Sequence, residues 1–395
     1  MSQAAGKTLR QRLVALLPLV LVAAVLFVAW WWAGPRLTWQ TAPTLNLRVL
    51  LVDYTVPFDD YKEHLAATWL LNHAKVPSPV PGKLWDVARD YVGYYPDRRR
   101  QPVRLAQLPA LDAHLIFITD TYGVYRDDLK DVAKKQAHMD YNPVVFGGLS
   151  VEDARRLDVY ARAGGHLITE FNSFCDPTPE PARRLMERVL GVRWTGWVGR
   201  VFADPHDRGD VPYWLAREFA AQYPGVELPR YPVLVLVHRD GRLRLYPARS
   251  EIDAAPKIRV TEDGRRAFGE LTQDVPFYYW FAVLEAEPKT TVHAELQLPP
   301  LAGLHADAAR LGIPSAFPVL TERVQGASRR VNFGGDLVDV DFPLPKHSVA
   351  NIVATRAQMF EDRGAVSTEP HFYRFFAPVL LELLRQMAAG RAAAR

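Results

Sequence analysis

The sequence contains a single cysteine, Cys175, among 395 residues. One thiol can form no disulfide within the chain and cannot build a metal cluster from cysteine ligands. Long runs of like charge are also scarce, because the 48 basic and 44 acidic residues are interspersed and leave a formal net charge of +4. Nucleic-acid-binding proteins concentrate basic residues in a patch or stripe, so this pattern predicts no nucleic-acid partner.

Residues with the spacing of metal ligands are scarce as well. His64 and His73 are nine positions apart, which is not the i, i+4 spacing of a zinc pair on a helix. No acidic loop has the EF-hand pattern of calcium ligands. The sequence therefore predicts neither a bound metal nor a cofactor.

Apolar and aromatic residues are abundant instead. Hydrophobic residues make up 49% of the chain and aromatic residues 11%, including 10 tryptophans. A composition of this kind is typical of a folded globular protein with large core-forming side chains. The length suits one large domain or two smaller ones.

An uncharged apolar segment extends from Leu13 to Gly34 (LVALLPLVLVAAVLFVAWWWAG). At about 1.5 Å per residue, a helix of this length crosses a hydrocarbon layer of about 30 Å. Lys7, Arg10 and Arg12 precede it and only Arg36 follows closely, a bias that predicts a cytoplasmic N-terminus. The sequence predicts a transmembrane helix and a single-pass protein of the cytoplasmic (inner) membrane with a periplasmic C-terminal domain. A cleaved signal peptide is the alternative.

Three aliphatic runs alternate with helical patterns in the next part of the chain. The runs cover residues 45–55 (LNLRVLLVDYT), 113–125 (AHLIFITDTYGVY) and 164–175 (GGHLITEFNSFC), and the helical patterns cover 61–75 and 150–165. Strands buried on both faces of a parallel sheet have this near-continuous aliphatic character. We therefore predict an α/β fold with a doubly wound, mostly parallel sheet.

The composition of the C-terminal half differs: prolines and aromatic residues are frequent, and Asp240-Gly241 predicts a hairpin turn. We predict a β-rich C-terminal portion there. The predicted organisation is a cytoplasmic N-terminus (1–12), a transmembrane helix (13–34), a linker (35–44), an α/β domain (45–192), a β-rich insertion or subdomain (193–274), and closing strands with a C-terminal helix of the α/β domain (275–390).

A carboxylate stands at the end of each of the three predicted strands: Asp53, Asp120 and Glu170. Ligands of open α/β sheets bind outside the carboxyl ends of the strands, so these acids are predicted to face one pocket. The alternative is that each acid caps a helix or pairs with an arginine. Polar neighbours predicted to surround the same pocket are Thr55, Tyr122, Tyr125 and Asn172.

Three further segments are candidates for this pocket. Gly147 and Gly148 lead into a predicted helix N-terminus, a donor site for an anionic or hydroxylated ligand. The segment RWTGWVGR, residues 193–200, is either a sugar-stacking surface or part of the core. Asp336 follows two glycines and is predicted to reach the pocket, whereas Asp339 and Asp341 are predicted on a solvated strand face. The RWTGWVGR segment contributes the candidates Trp194, Trp197 and Arg200.

The segment YARAGGHLITEFNS, residues 160–173, and the later segment GIPSAFPVLTERVQGASRRVNFGGD, residues 312–336, resemble the class I glutamine amidotransferase-like superfamily. The resemblance is to its non-amidotransferase branches, such as trehalose-utilisation-type proteins and the β-galactosidase trimerisation domain. It covers roughly residues 45–184 and parts of 275–384. The chain also resembles a set of membrane-anchored bacterial proteins, and that resemblance implies no activity.

The amidotransferase pattern places a cysteine between glycines at a strand-to-helix turn. Here Phe171 occupies the place of the thiol, with Glu170 before it and Asn172 after it. Cys175 lies four residues downstream, no glycine flanks it, and Asp176 beside it would raise its pKa. The resemblance therefore implies an amidotransferase-like domain without glutamine hydrolysis, and Cys175 is interpreted as an inert thiol.

Acids together with tyrosine and tryptophan are typical of sites that bind or cleave glycans. The sequence favours binding over catalysis: an accessory or assembly protein that recognises a carbohydrate or another cell-envelope component. The first alternative is a hydrolase of envelope glycan that uses Glu170 with Asp53 or Asp120 as acid and base. The second is a scaffold subunit of a membrane complex. The predicted partners are the membrane, a carbohydrate ligand and an envelope protein complex.

Overall fold

The computed structural model describes residues 9–97, 100–129, 143–207, 210–269, 271, 275–360 and 368–393. The helices are α1 (Leu9–Thr41), α2 (Lys62–His73), α3 (Val151–Arg162), α4 (Glu180–Leu190), α5 (Tyr213–Gln222), α6 (Glu251–Ala254), α7 (Glu262–Phe268), α8 (Leu304–Leu311), α9 (Ile352–Met359), α10 (Glu369–His371) and α11 (Ala377–Ala393). A π-helical turn, Phe372–Phe376, joins the last two, and short 3₁₀ turns lie at Leu105–Gln107 and Asp127–Leu129.

The strands follow one another through most of the chain after α1. They are β1 (Val49–Asp53), β2 (Val92–Gly93), β3 (Leu115–Asp120), β4 (Val124–Tyr125), β5 (Val144–Phe146), β6 (His166–Thr169), β7 (Val192–Phe202), β8 (Val233–His238), β9 (Leu243–Pro247), β10 (Lys257–Val260), β11 (Val275–Pro276), β12 (Phe281–Ala286), β13 (Thr291–Gln297), β14 (Ala316–Gln325) and β15 (Ser328–Phe333).

The central sheet is mixed, which corrects the prediction of a doubly wound, mostly parallel sheet. Among the described residues it has nine strands in the order β11-β10-β13-β14-β15-β6-β3-β1-β2. The strands from β15 to β2 are parallel, whereas β11, β10, β13, β14 and β15 pair antiparallel to one another. The prediction was wrong because short turns, such as the one between β14 and β15, return the chain antiparallel without a crossover helix.

A second sheet among the described residues has four strands in the order β12-β7-β8-β9. All of its neighbouring strands are antiparallel. Strand β7 is the longest of the four and includes residues 194–200. Strands β4 and β5 form a small separate ribbon.

Alternating side chains of the parallel strands enter two different cores. Leu51 and Phe117 pack with α2 and α11 on one face of the sheet. Val52 and Ile118 pack with α3 and α4 on the opposite face. Since successive residues of a strand point to opposite faces, a strand covered by helices on both sides must be apolar at every position.

Local sequence explains how α3 is fixed between β5 and β6. The Ser150 hydroxyl accepts a hydrogen bond from the N–H of Asp153 (3.0 Å), and the Asp153 carboxylate accepts one from the N–H of Ser150 (2.9 Å). This reciprocal capping satisfies donors that a helix start leaves free. The predicted helix over 150–165 is confirmed as Val151–Arg162.

The N-terminal helix corrects the prediction of a transmembrane segment. Helix α1 continues past Arg36, and its last turns contact the segments that follow: Trp39 Nε1 donates to the His73 carbonyl (2.8 Å), and Ala350 N–H donates to the Pro35 carbonyl (3.0 Å). Within the part of the chain that the structure describes, no helix combines the length and apolar character needed to cross a membrane. The predictions of a transmembrane helix, a single-pass inner-membrane location and a periplasmic domain were therefore wrong.

Candidate functional site

A cavity of about 310 Å³ lies where the central sheet meets the second sheet. One wall comes from residues that follow β3, β6 and β15, at the carboxyl ends of those strands. The opposite wall comes from β7, β8 and the residues that precede β12. The crevice beyond parallel strand ends is the usual ligand position of α/β folds, and a volume near 300 Å³ lies at the lower end of the range for small-molecule sites.

Most of the residues predicted for the site line this cavity. The lining includes Thr55, Asp120, Tyr122, Tyr125, Asn172, Trp194, Arg200 and Asp336. Five other candidates are not among the lining residues: Asp53, Gly147, Gly148, Glu170 and Trp197. The five candidates outside the lining make contacts with other parts of the protein.

Asp53 is fully buried and binds partners inside the protein. Its Oδ2 atom lies 2.6 Å from Nδ1 of His64, and its Oδ1 atom accepts a hydrogen bond from the Thr55 N–H (2.8 Å). His64 Nε2 donates to the Val87 carbonyl (2.7 Å), so a single proton serves the contact between His64 Nδ1 and Asp53. Burial raises the pKa of Asp53, and the hydrogen bond with His64 offsets part of that rise. The pair joins β1 to α2.

Glu170 holds the loop that follows β15. Its side chain accepts hydrogen bonds from the backbone N–H groups of Leu337 (2.5 Å) and Val338 (2.7 Å), and the residue is 2% exposed. Burial and the nearby negative charge of Asp336 raise the pKa of Glu170 well above its ordinary value. Glu170 therefore positions the loop that carries Asp336 and does not itself line the cavity.

Gly147, Gly148 and Trp197 also contact other parts of the protein and not the cavity. Arg104 donates to the carbonyl oxygens of Gly147 (3.0 Å) and Gly148 (2.8 Å). Trp197 is buried in the core, and its ring lies 4.9 Å from that of His238. Trp194 alone of the tryptophan pair lines the cavity.

The carboxyl groups of Asp120 and Asp336 are among those that line the strand-end wall of the cavity. The Asp120 carboxylate accepts a hydrogen bond from the Tyr122 N–H (2.5 Å), yet burial raises the pKa of Asp120 to about 8. Burial and the negative charges of Asp339 and Asp120 raise the pKa of Asp336 well above its ordinary value. In the empty site, the Asp120 carboxyl group is therefore mostly protonated at neutral pH.

The structure adds an ion pair between a buried aspartate and a partly exposed lysine, which the sequence patterns did not indicate. Lys62 Nζ lies 2.9 Å from Oδ2 of Asp339, and the Tyr279 hydroxyl donates to the same oxygen (2.8 Å). Burial alone would lower the pKa of Lys62, but the negative charge of Asp339 outweighs it and raises the pKa. Asp339 is 7% exposed, so its prediction on a solvated face was wrong. The available signal was the position of Lys62 and Glu63 at the start of a helix that follows a strand end.

The opposite wall carries aromatic rings and arginines. The Arg200 guanidinium pairs with Asp210 and lies 4.4 Å from the ring centre of Tyr279 and 5.7 Å from that of Trp280. Its Nε atom has no hydrogen-bond partner among the described residues, although Arg200 is only 9% exposed. Cation–π contacts and the ion pair hold the guanidinium in place and leave one donor unused.

The turn after β6 places Asn172 in the left-handed region, at a φ of 63°. The Thr121 hydroxyl donates to the Asn172 carbonyl (2.7 Å), and the Asn172 side chain lines the cavity. Asparagine tolerates this conformation better than most residues. Phe171 and Cys175 also line the cavity, and burial with the negative charge of Asp176 raises the pKa of the Cys175 thiol well above its ordinary value. A thiol in this state is a poor nucleophile.

Metal binding has no geometric support in the described residues. No three histidine, cysteine, aspartate or glutamate side chains of that part of the chain are arranged to hold a metal ion.

Comparison with known proteins gives similarity at the level of solved structures. No family model and no curated protein matches the chain. A β-galactosidase from Bacillus circulans sp. alkalophilus is similar with 12% identity and a TM-score of 0.34, over 74% of this chain and 29% of that one. A cytoplasmic protein from Salmonella typhimurium LT2 has 11% identity and a TM-score of 0.34, over 86% of this chain and 98% of that one.

A ThuA-like protein from Bacteroides uniformis has 9% identity and a TM-score of 0.28, over 83% of this chain and 98% of that one. The chain spans only 24% to 29% of the length of the matched glycosidases and carbohydrate deacetylase. No family model and no curated protein supports the membrane-anchored family. Similarities at these TM-scores assign no activity to this chain.

Proposed function

We propose that this chain is a carbohydrate-binding protein that holds one or two sugar units in the cavity between its two sheets. The observation that supports this most directly is the composition of the lining. Carboxyl groups of Asp120 and Asp336 stand on one wall, and the rings of Trp194 and Trp280 stand among the lining residues of the other. Sugars present hydroxyl groups at their edges and C–H groups on their faces, which match these two kinds of surface.

The Asn172 amide and the Arg200 Nε atom add hydrogen-bonding capacity to the same lining. Both residues line the cavity, Asn172 is partly exposed, and the Nε atom of Arg200 has no hydrogen-bond partner among the described residues. Buried polar groups in native proteins are nearly always hydrogen-bonded, so a ligand with several hydroxyl oxygens would satisfy groups that the protein leaves open.

A hydrolase based on Glu170 with Asp53 or Asp120 receives no support from this geometry. Glu170 is bound to the loop N–H groups of Leu337 and Val338, and Asp53 is bound to His64. Neither lines the cavity. Binding without cleavage, as an accessory or assembly protein, fits the open groups better than catalysis does.

The test is glycan binding by the full-length chain, measured on a glycan array and by titration calorimetry with the best hits. The variant Asn172→Gly removes the side-chain amide, and glycine adopts the left-handed backbone of this position without strain. We expect Asn172→Gly to fold normally and to bind the selected glycan about fivefold to tenfold more weakly, because one hydrogen bond is lost.

The matched control is Asn351→Gly, because Asn351 has a φ of 58° and lies outside the cavity lining. This control is expected to bind as the wild type does. The proposal fails if no glycan binds the wild-type chain, or if both glycine variants weaken binding to the same extent.

A further inference from the structure

The charges that line the cavity do not balance. Among the described lining residues, each lysine or arginine is already in an ion pair: Lys62 with Asp339 (2.9 Å), Arg200 with Asp210, and Arg239 with Asp176 (3.4 Å). The two charges of each ion pair cancel. The lining carboxyl groups outside these pairs have no positive side chain to balance them when they ionise.

Three lining carboxyl groups, those of Glu63, Asp120 and Asp336, have no ion-pair partner within the described ranges. All three line the same cavity, burial raises the pKa of each, and the negative charge of Asp120 raises that of Asp336 further. A buried carboxylate without a counter-charge costs several kcal/mol, so the empty site is held in a partly protonated state. A ligand that brings a positive charge would remove that cost.

An ammonium group is the cation that suits this cavity. The described residues include no set of three ligands arranged for a metal ion, which leaves an organic cation. Tyr122 and Tyr125, whose ring centres are 4.9 Å apart, line the cavity with Asp120. Aromatic faces together with carboxylates are the usual surroundings of an ammonium ion.

The opposite wall of the cavity carries a hydrogen-bond donor, so a complementary ligand also has a hydrogen-bond acceptor. Arg200 lines the cavity, is 9% exposed and has an Nε atom with no acceptor among the described residues. An ammonium ion alone offers no acceptor to the Arg200 guanidinium group that lines the cavity, whereas a hydroxyl oxygen on the same molecule would accept a hydrogen bond from it.

We infer that the ligand of this cavity is an amino sugar with a free amine, its ammonium group bound by Asp120 and Asp336 and a hydroxyl oxygen bound by Arg200. The inference rests on the proposed carbohydrate site and narrows its ligand class. It requires no covalent step.

The experiment compares three disaccharides with the same β-1,4-linked backbone: the glucosamine dimer, the N-acetylglucosamine dimer and cellobiose. Each is titrated calorimetrically into the full-length protein at neutral pH, because acid would protonate the Asp120 carboxyl group further and remove the charge that the amine is proposed to bind. We expect the glucosamine dimer to bind about tenfold or more tightly than the other two, the effect of one hydrogen bond to a charged group.

The variant Asp336→Asn tests the role assigned to the carboxyl group. It keeps the shape of the side chain, and the Asp336 carboxyl makes no hydrogen bond to the described residues, so the fold should survive, which a thermal melt checks. We expect the variant to lose the preference for the glucosamine dimer and to bind cellobiose as the wild type does. The control Asp112→Asn removes the same charge from a side chain that is 80% exposed and distant from the lining.

The outcomes separate the two proposals. Equal binding of the three disaccharides overturns the amino-sugar inference and leaves a carbohydrate site. A preference that survives in Asp336→Asn and Asp120→Asn also overturns it. Absence of binding to any of the three disaccharides and to the glycan array overturns both.

Discussion

Lys62 at the first turn of α2 and Asp339 in the loop after β15 are 277 positions apart in sequence, and their charged atoms are 2.9 Å apart. The Asp339 side chain is only 8% exposed, whereas that of Lys62 is 38% exposed. This pair joins the two ends of the α/β domain beside the cavity. It also neutralises one of the acids of the cavity wall.

We expect Lys62→Met to destabilise the protein by about 2 kcal/mol. Removing one partner of a fully buried pair costs about 3–5 kcal/mol, and the partial exposure of Lys62 reduces that figure. Urea denaturation at neutral pH measures the change. The control Arg184→Met breaks an exposed pair with Glu180 and should leave the urea midpoint unchanged within error. Equal effects of the two variants would contradict a structural role for Lys62.

The raised pKa of Asp120, about 8 against an ordinary value of 3.8, predicts how stability depends on pH. Between these two values the folded state holds a proton that the unfolded state has released, so stability falls as pH rises. One proton contributes at most about 1.4 kcal/mol per pH unit. We expect Asp120→Asn to show a shallower fall between pH 5 and pH 8 than the wild type in urea denaturation. Parallel curves for the two proteins would refute the assignment, and Asp112→Asn provides the surface control.

Glu322 on β14 links three elements of the antiparallel half of the sheet. His293 Nε2 lies 3.0 Å from one of its oxygens, and Arg329 Nε donates to the other. Burial would raise the pKa of Glu322, but these hydrogen bonds outweigh it and lower the pKa to about 2. The resulting stabilisation is present above the ordinary pKa of 4.5 and is lost as pH falls towards 2.

We therefore expect Glu322→Gln to cost about 2–3 kcal/mol at pH 7 and progressively less below pH 4. Guanidinium denaturation at several pH values follows this change. Glu285→Gln, which breaks an exposed pair with Arg193, should cause little loss at any of them. A pH-independent cost for Glu322→Gln would show that packing, and not charge, is responsible.

His371 at the end of α10 is fully buried, and neither ring nitrogen has a hydrogen-bond partner among the described residues. Its ring lies 4.9 Å from that of Phe277. Burial lowers the pKa of His371 from 6.5 to about 3, so stability is lost as pH falls through this window, where only the unfolded state gains the proton.

We expect His371→Phe to be more stable than the wild type, by about 2 kcal/mol at pH 5 and by less at pH 8. Thermal melts at both pH values give the comparison. His305→Phe, at an exposed position, serves as the control for the added ring. A His371→Phe protein that is less stable than the wild type at pH 5 would contradict the prediction.

Several local features of this chain were predictable from sequence because their causes are local. The Ser150 cap and the helix that it starts depend on contacts over three residues. The apolar runs that became β1, β3 and β6 follow from burial on both faces of a sheet. The position of Asp120 at a strand end, and its presence in the cavity lining, follow from the same pattern.

Other features depend on which distant segment comes close in the fold. Nothing near Glu170 in sequence indicates that its oxygen binds the N–H of Leu337, 167 positions away. Asp53 is bound by His64 through a contact between a strand and a helix, and Asp339 forms an ion pair with Lys62. The direction of the later strands is likewise set by turns and pairing across the sheet.

Local sequence patterns indicate the strands β1, β3 and β6 and an acid at or directly after the end of each one. Tertiary packing selects which of these acids remain open to a ligand. The physical reason is that a buried carboxylate must be hydrogen-bonded or paired, and its partners come from whatever elements pack against it. Asp53 is hydrogen-bonded to His64, and Glu170 is hydrogen-bonded to the N–H of Leu337. Asp120 and Asp336, by contrast, line the cavity without a counter-charge among the described residues.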